Sequence, residues 1–211
     1  MNITLIIVII TSVISFSAFS NQKVTEQLIF YPPAVTNQKQ WYRFFSCALI
    51  HADVSHLLFN MFSFYSFGSF VEDTFTYLFG SLGSVLYIAL YVIAQFLCLL
   101  PTYVKHKEDY YYRSLGASGA VSAIIFAGIF LSPLQKMGLL FIPIGIPGFI
   151  FGFIYLGITA YLDRKGAGGI NHSAHLFGAL AGIGLLIIFG YAFSSYDLLQ
   201  NFIDQIKSFR M

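Results

Sequence analysis

The chain has 211 residues, of which 57% are hydrophobic and only 9% are charged, and its formal net charge is +2. Soluble domains carry roughly 25% charged residues, so this composition excludes a soluble globular protein and indicates a polytopic membrane protein. The lysine and arginine residues are scattered through predicted loops rather than gathered in a block, which argues against nucleic acid as a partner. The length suits a single domain covering residues 1–211.

The first apolar run, residues 3–19, carries no charge and predicts a first membrane helix. A secretory signal peptide is the alternative, but no lysine or arginine precedes Lys23, so the basic region of such a peptide is missing. The connection 20–50 is rich in aromatic residues, which are typical of the membrane interface. Its length predicts a partly immersed loop with structure of its own.

Five further apolar segments follow, and together with the first they predict an all-α bundle of six transmembrane helices. They are residues 54–70, 84–104, 118–131, 139–162 and 171–193. We expect the second helix to end at Glu72 and Asp73, and the regular part of the fifth to begin near Gly148, after two prolines. The tail, residues 194–211, alternates apolar and polar residues and predicts a short amphipathic surface helix.

The fourth segment is unusually short and begins at a serine within Gly116-Ala117-Ser118-Gly119. Its 14 residues would form a helix about 21 Å long, less than the ~30 Å hydrocarbon core. The helix is therefore expected to start inside the membrane, where irregular backbone requires a water-filled cavity or surrounding protein. Free N–H groups at its start suit a developing oxyanion. Ser118 is a candidate nucleophile, and close helix packing is the alternative interpretation of these small residues.

Two histidine clusters supply candidate partners for this serine. At 100° per residue, His56 and Asn60 share one helix face, so two donors one turn apart can point at one developing negative charge. The alternative is that they form polar contacts between helices. His51 lies about 140° from His56, which is a poor arrangement for a metal ion.

The second cluster places a histidine on a helix face made of small residues. Gly178 and Gly182 follow His175 at helical spacing, and the fourth helix has a similarly thin surface around Gly119. If these faces meet, His175 comes within hydrogen-bond reach of Ser118 and can serve first as base and then as acid. Since no acidic residue is well placed to orient the histidine, the arrangement predicts a serine–histidine dyad.

Over about residues 40–185 these motifs resemble the rhomboid family of intramembrane serine proteases. The matching elements are Tyr42-Arg43, His51-x4-His56-x3-Asn60, Gly68-x3-Glu72, Gly116-Ala117-Ser118-Gly119 and Ala174-His175-x2-Gly178-x3-Gly182. The resemblance implies that Ser118 is the nucleophile and His175 the base. It also implies that His56, Asn60 and the Ser118 backbone N–H form an oxyanion hole. The remaining matched residues are expected to be structural: the polar His51, Arg43 and Glu72, and the helix-packing Gly116, Gly119, Gly178 and Gly182.

The resemblance implies a minimal six-helix rhomboid-like domain with its core at about 40–193, in the inner membrane of a bacterium. The expected activity is hydrolysis of peptide bonds in or near transmembrane segments of membrane-protein substrates. No cofactor and no metal are expected, and Cys47 and Cys98 are expected to be buried thiols. The sequence departs from many relatives at Ser122, where they carry an aromatic residue that packs on the base.

Two other functions remain open at this point. A rhomboid-like pseudoprotease would bind membrane helices without cleaving them. A histidine-lined transporter or metal-handling protein would instead predict paired broken helices or acidic residues at mid-membrane.

The orientation predicted from charge differs from the one implied by the resemblance. Eight lysine and arginine residues lie in the loops after helices one, three and five, against three on the opposite side, so the positive-inside rule places the N-terminus outside. The eight are Lys23, Lys39, Arg43, Lys105, Lys107, Arg113, Arg164 and Lys165. The resemblance implies an inside N-terminus with the active site opening outward, and we adopt that orientation.

Overall fold

Long apolar helices make up most of the residues that the computed structural model describes, which are 2–138, 145–166 and 169–209. The helices are α1 (Ile3–Ser20), α2 (Gln22–Leu28), α3 (Pro32–Gln38), α4 (Arg43–Ser46), α5 (Val54–Phe79), α6 (Gly83–His106), α7 (Ser118–Leu131), α8 (Gly148–Lys165), α9 (His172–Phe193) and α10 (Leu198–Ser208). Two 3₁₀ turns cover Cys47–Leu49 and Gly80–Leu82, and the two-residue strands β1 (Lys136–Met137) and β2 (Ile146–Pro147) pair antiparallel.

Among the described residues, three helical stretches are long and apolar enough to cross a membrane. They are Ile3–Ser20, Val54–His106 and His172–Phe193. The second stretch is 53 residues long and contains both α5 and α6, joined by one 3₁₀ turn. The protein is therefore an all-α, multi-pass integral membrane protein.

α7 is the centre of the bundle and has the bounds predicted from the sequence. It contacts α5, α6, α8 and α9, and 11 of its 14 residues are buried. A helix that is apolar on every side lies either in a protein core or in a membrane, and the burial of α7 shows that neighbouring helices cover it. The short fourth helix is thus enclosed by the others, and its first residue is Ser118.

The predicted starts of the later helices are also confirmed. α8 begins at Gly148, and α9 begins at His172 with Asn171 as its N-cap. The predicted start of the fifth apolar segment, residues 139–144, lies outside the described residues. The tail forms α10, where Phe202 stacks on Phe130 of α7 with ring centroids 4.5 Å apart.

The predicted end of the second helix is wrong, because α5 continues past Glu72 to Phe79. The Glu72 carboxylate is buried and accepts hydrogen bonds from the backbone N–H groups of Ile3 and Thr4, at 2.8 and 2.9 Å, and from the Thr4 hydroxyl at 2.7 Å. These N–H groups are unpaired donors at the start of α1, where a negative charge is also favoured by the helix dipole. Since α1 satisfies the carboxylate, the helix has no need to end there.

The connection between α1 and α5 is structured, as its length predicts. The Arg43 guanidinium is buried and donates to the carbonyl oxygens of Glu26 and Ile29, at 2.9 and 2.6 Å. Phe30 pairs with Ser114 through two backbone hydrogen bonds, at 3.0 and 3.1 Å. The connection is thereby attached to the segment that leads into α7.

Candidate active site

A tight turn, fixed by neighbouring elements, presents Ser118 at the start of α7. Gly116 has φ +110°, a backbone conformation that residues other than glycine rarely adopt, and a Cβ there would lie 2.9 Å from the His56 ring. The Gly116 N–H donates to the Cys47 carbonyl at 2.9 Å, and the Ala117 N–H donates to His51 Nε2 at 3.4 Å. The turn therefore requires glycine, and it is held by the segment that precedes α5.

The structure brings Ser118 and His175 together across the interface of α7 and α9. His175 Nε2 lies 2.6 Å from Ser118 Oγ. The helix backbones are in direct contact, since a Cβ on Gly178 would meet the carbonyl group of Gly119. The short distance between His175 and Ser118 requires that the two helices approach closely, and small residues at their interface allow this approach.

The start of α9 is anchored one turn before His175. Asn171 Oδ1 accepts from the Ala174 N–H at 3.0 Å, and the Asn171 side chain exchanges hydrogen bonds with the Thr102 hydroxyl of α6. An N-cap of this type satisfies one of the free donors of a helix. Both ends of the Ser118–His175 pair are thus attached to rigid helices.

His56 and Asn60 lie one turn apart on α5, and the His56 ring is next to the turn that precedes Ser118. His56 Nδ1 accepts from the Ala52 N–H at 3.4 Å, so the neutral ring carries its proton on Nε2, which lies beside Gly116. Asn60 donates one amide hydrogen to the His56 carbonyl at 2.9 Å. Within the described part of the chain, each side chain therefore keeps one N–H for a further acceptor.

Among the described residues, His175 lies near other imidazoles and has no hydrogen bond to a carboxylate. The ring of His172 stands edge-on to that of His175 with centroids 6.2 Å apart. Within residues 2–138, 145–166 and 169–209, no acidic side chain is hydrogen-bonded to His175. In the same ranges, no group of three or more His, Cys, Asp or Glu residues is arranged to hold a metal ion.

A polar cavity of about 220 Å³ lies beside the start of α9. Its lining includes Thr102, His106, Asp163 and His172. At its edge, His106 Nδ1 is 3.0 Å from Asp109, and this hydrogen bond lowers the pKa of the Asp109 carboxyl. The polar lining makes the cavity suitable for water.

Ser122, the position at which the sequence departs from the resemblance, connects α7 to α8. Its hydroxyl donates to the Ser118 carbonyl at 2.8 Å and pairs with the Tyr155 hydroxyl at 3.1 Å. The Tyr155 ring packs against Phe126, with centroids 5.5 Å apart. Sequence reasoning missed Tyr155, although its hydroxyl is the only one in the apolar run 149–158.

The remaining matched residues occupy separate places in the bundle. His51 is buried under the Gly116 turn, Arg43 holds the first connection, and Glu72 lies at the far end of α5 against the start of α1. Gly182 lies against Ala123 of α7, four residues after the contact between Gly178 and Gly119. Cys47 and Cys98 are buried free thiols.

Comparison with known proteins gives one family. A family model described as Rhomboid domain matches residues 38–192. The chain is 34% identical over 143 residues to RHOMBOID-like protein 12, mitochondrial, of Arabidopsis thaliana, covering 63% of this chain and 41% of that protein. It is 28% identical over 157 residues to Rhomboid protease GlpG of Haemophilus influenzae, covering 74% and 73%.

A third relative is Presenilin-associated rhomboid-like protein, mitochondrial, of Mus musculus, at 30% identity over 141 residues. That match covers 63% of this chain and 34% of the mouse protein. The chain therefore spans less than half the length of the two mitochondrial relatives and most of the length of the Haemophilus relative.

Proposed function

The chain belongs to the rhomboid family, and we propose that it is an intramembrane serine protease that hydrolyses peptide bonds in or near transmembrane segments of membrane proteins. The observation that carries the proposal is the 2.6 Å contact between Ser118 Oγ and His175 Nε2. A nucleophile within hydrogen-bond reach of its base is the arrangement that covalent catalysis requires. The Haemophilus relative, named a protease and matched over most of both chains, supports the same activity.

In the proposed reaction, Ser118 attacks the substrate carbonyl while its proton passes to His175 Nε2. The negative charge that develops on the carbonyl oxygen is stabilised by the Ser118 backbone N–H, His56 Nε2–H and the uncommitted amide hydrogen of Asn60. His175 then gives its proton to the leaving amine, which breaks the peptide bond and leaves an acyl-enzyme. His175 next activates a water molecule, and hydrolysis of the ester restores the Ser118 hydroxyl.

Water and an unwound substrate are both needed for this chemistry. The polar cavity around Thr102 and His172 could hold water at the start of α9, although Ser118 and His175 are not among the residues that line it. A helical substrate hides its carbonyl carbons within a hydrogen-bonded backbone, so the segment must unwind locally before attack. Substrates with helix-weakening glycine or proline and a small residue at the cleavage site are therefore favoured.

We propose that all six of the helices α1 and α5–α9 lie within the membrane, in one domain covering residues 1–211. The end of the bundle that holds Ser118 also carries most of the basic loop residues, which argues for that end being cytoplasmic. Two of these cations have structural partners, however: Arg43 binds backbone carbonyls, and the Arg113 guanidinium lies 3.8 Å from the Tyr31 ring centroid. The six others still outnumber the three on the opposite side, and we retain the inside N-terminus on the resemblance to the rhomboid family, with the site opening to the outer face of a bacterial inner membrane.

A pseudoprotease that binds membrane helices without cleavage is the alternative. Such a protein would keep the bundle but would have no need of a serine and a histidine in hydrogen-bond contact. The Ser118–His175 contact favours the protease.

The proposal is tested by cleavage of a model transmembrane substrate by purified protein in liposomes. Ser118→Ala is expected to abolish cleavage, because no other group provides a route to an acyl-enzyme. Ser132→Ala, the same change at the other end of α7, is the matched control and is expected to cleave at the wild-type rate. Cleavage that persists in Ser118→Ala would refute the mechanism, and absence of cleavage by the wild type on a panel of substrates would favour the pseudoprotease.

A further inference from the structure

Three residues with hydroxyl groups are fully buried along the face of α1 that packs on the bundle: Thr4, Thr11 and Ser15. The Thr11 hydroxyl has no hydrogen-bond partner among the described residues. Ser15 lies beside the candidate active site, where its Oγ is 2.9 Å from the Leu49 carbonyl oxygen and 3.0 Å from His51 Nδ1. Ser15 therefore links the first helix to the site.

The hydrogen bonds around His51 fit only one assignment of donors and acceptors. The Ala117 N–H donates to Nε2, so Nε2 is unprotonated and the proton of the neutral ring is on Nδ1. Nδ1–H then donates to Ser15 Oγ, and the Ser15 hydroxyl donates onward to the Leu49 carbonyl. Burial lowers the pKa of His51, which favours the neutral ring that this arrangement requires.

We propose that Ser15 is a positioning residue that fixes the Nδ1–H tautomer and the orientation of His51, and through His51 the turn that presents Ser118. The catalytic part of this inference rests on the function proposed above. The control of the His51 tautomer by Ser15 does not depend on that function.

His51 transmits the effect because it contacts both the nucleophile turn and a proposed oxyanion donor. Its Nε2 binds the N–H of Ala117, the residue before Ser118, and its ring meets that of His56 edge to face with centroids 4.9 Å apart. A His51 ring that rotates releases Ala117 and removes a support of His56. Interactions made chiefly in the transition state would weaken, so the loss is expected in kcat rather than in KM.

The tautomer is measured by ¹⁵N NMR of protein labelled on histidine, in micelles, with His51→Asn to assign the resonances. Wild-type His51 is expected to be protonated on Nδ1 and unprotonated on Nε2. Ser15→Ala is expected to lose the hydrogen-bonded Nδ1–H signal. Thr11→Val is the matched control, because it removes a buried hydroxyl without a partner from the same helix and keeps the side-chain shape, so its His51 spectrum should match the wild type.

The kinetic measurement uses the wild type, Ser15→Ala and Thr11→Val with the model substrate. For Ser15→Ala, kcat is expected to fall about 5- to 30-fold with KM unchanged, the effect of losing one or two hydrogen bonds. Thr11→Val is expected to keep the wild-type kcat. A general loss of folding in Ser15→Ala would lower its unfolding temperature and would not single out the His51 signal.

Each outcome decides the inference. A wild-type His51 that is protonated on Nε2 would overturn the proposal without any variant. An unchanged His51 spectrum in Ser15→Ala would also overturn it. An altered His51 spectrum in Ser15→Ala with unchanged kcat would overturn its catalytic part. If the wild-type protein cleaves no substrate, the proposed function fails, and the tautomer in wild type and Ser15→Ala still decides whether Ser15 controls His51.

Discussion

Replacing His175 by alanine is expected to lower cleavage of a transmembrane substrate by at least about 1,000-fold, as removal of the base does in serine proteases. The Ser118 hydroxyl would keep its place but would have no acceptor for its proton as it attacks. The measurement is the initial rate of product formation in liposomes at saturating substrate. The fold should be almost unaffected, because the His175 side chain makes one hydrogen bond in the described structure, to Ser118.

His172→Ala is the matched control for this experiment. Its ring lies near His175, with centroids 6.2 Å apart, but among the described residues the hydrogen bond to Ser118 Oγ comes from His175 and not from His172. We expect its rate to stay within about tenfold of the wild type, since loss of a nearby ring perturbs catalysis far less than loss of the base. Equal losses in the two variants would mean that His175 acts only as one of several polar residues at the start of α9.

Replacing Gly178 by alanine is expected to lower the free energy of unfolding by about 1–3 kcal/mol, the usual cost of overpacking, and by more if the helices cannot separate. The new Cβ would collide with the carbonyl group of Gly119, which is backbone and cannot rotate away. α7 and α9 must then move apart, which lengthens the contact between Ser118 and His175. Cleavage should therefore fall at least about tenfold, because proximity is lost.

Gly184→Ala is the control for this variant. Gly184 lies on the same helix, and a Cβ there would meet nothing within 4 Å. Alanine is the better helix former by about 0.5–1 kcal/mol, so we expect unchanged or slightly raised stability and wild-type cleavage. Thermal unfolding in micelles measures both variants. Equal stability of Gly178→Ala and Gly184→Ala would show that α7 and α9 are not in backbone contact.

The sequence predicts those parts of the structure that depend on local patterns. The apolar run that begins at Ser118 and ends at Ser132-Pro133 predicts the bounds that α7 has. The glycines after His175 indicate a thin helix face, and the structure places Gly178 and Gly182 on such a face, against α7. Bounds and faces are encoded by residues close in the chain, which is why single-sequence reasoning reaches them.

The parts that the sequence does not predict depend on partners far away in the chain. In the sequence, Glu72 indicates a helix end, because a carboxylate in an apolar run is costly. Only the folded bundle shows that backbone N–H groups at the start of α1, 68 or 69 residues earlier, donate hydrogen bonds to this carboxylate. The hydrogen bonds between Ser122 and Tyr155 and between Ser15 and His51 likewise join residues that are far apart in the chain. A hydroxyl gives no sign in the sequence of which distant group it will bind.

The most direct test of the central claim is covalent labelling of the wild-type protein and His175→Ala with a fluorophosphonate, followed by peptide mapping. Only a hydroxyl activated by a neighbouring base attacks such a reagent at an appreciable rate. We predict a single adduct on Ser118 in the wild type and none in His175→Ala over the same time. An adduct on another serine, or equal labelling of Ser118 in both proteins, would contradict the assignment of Ser118 and His175 as nucleophile and base.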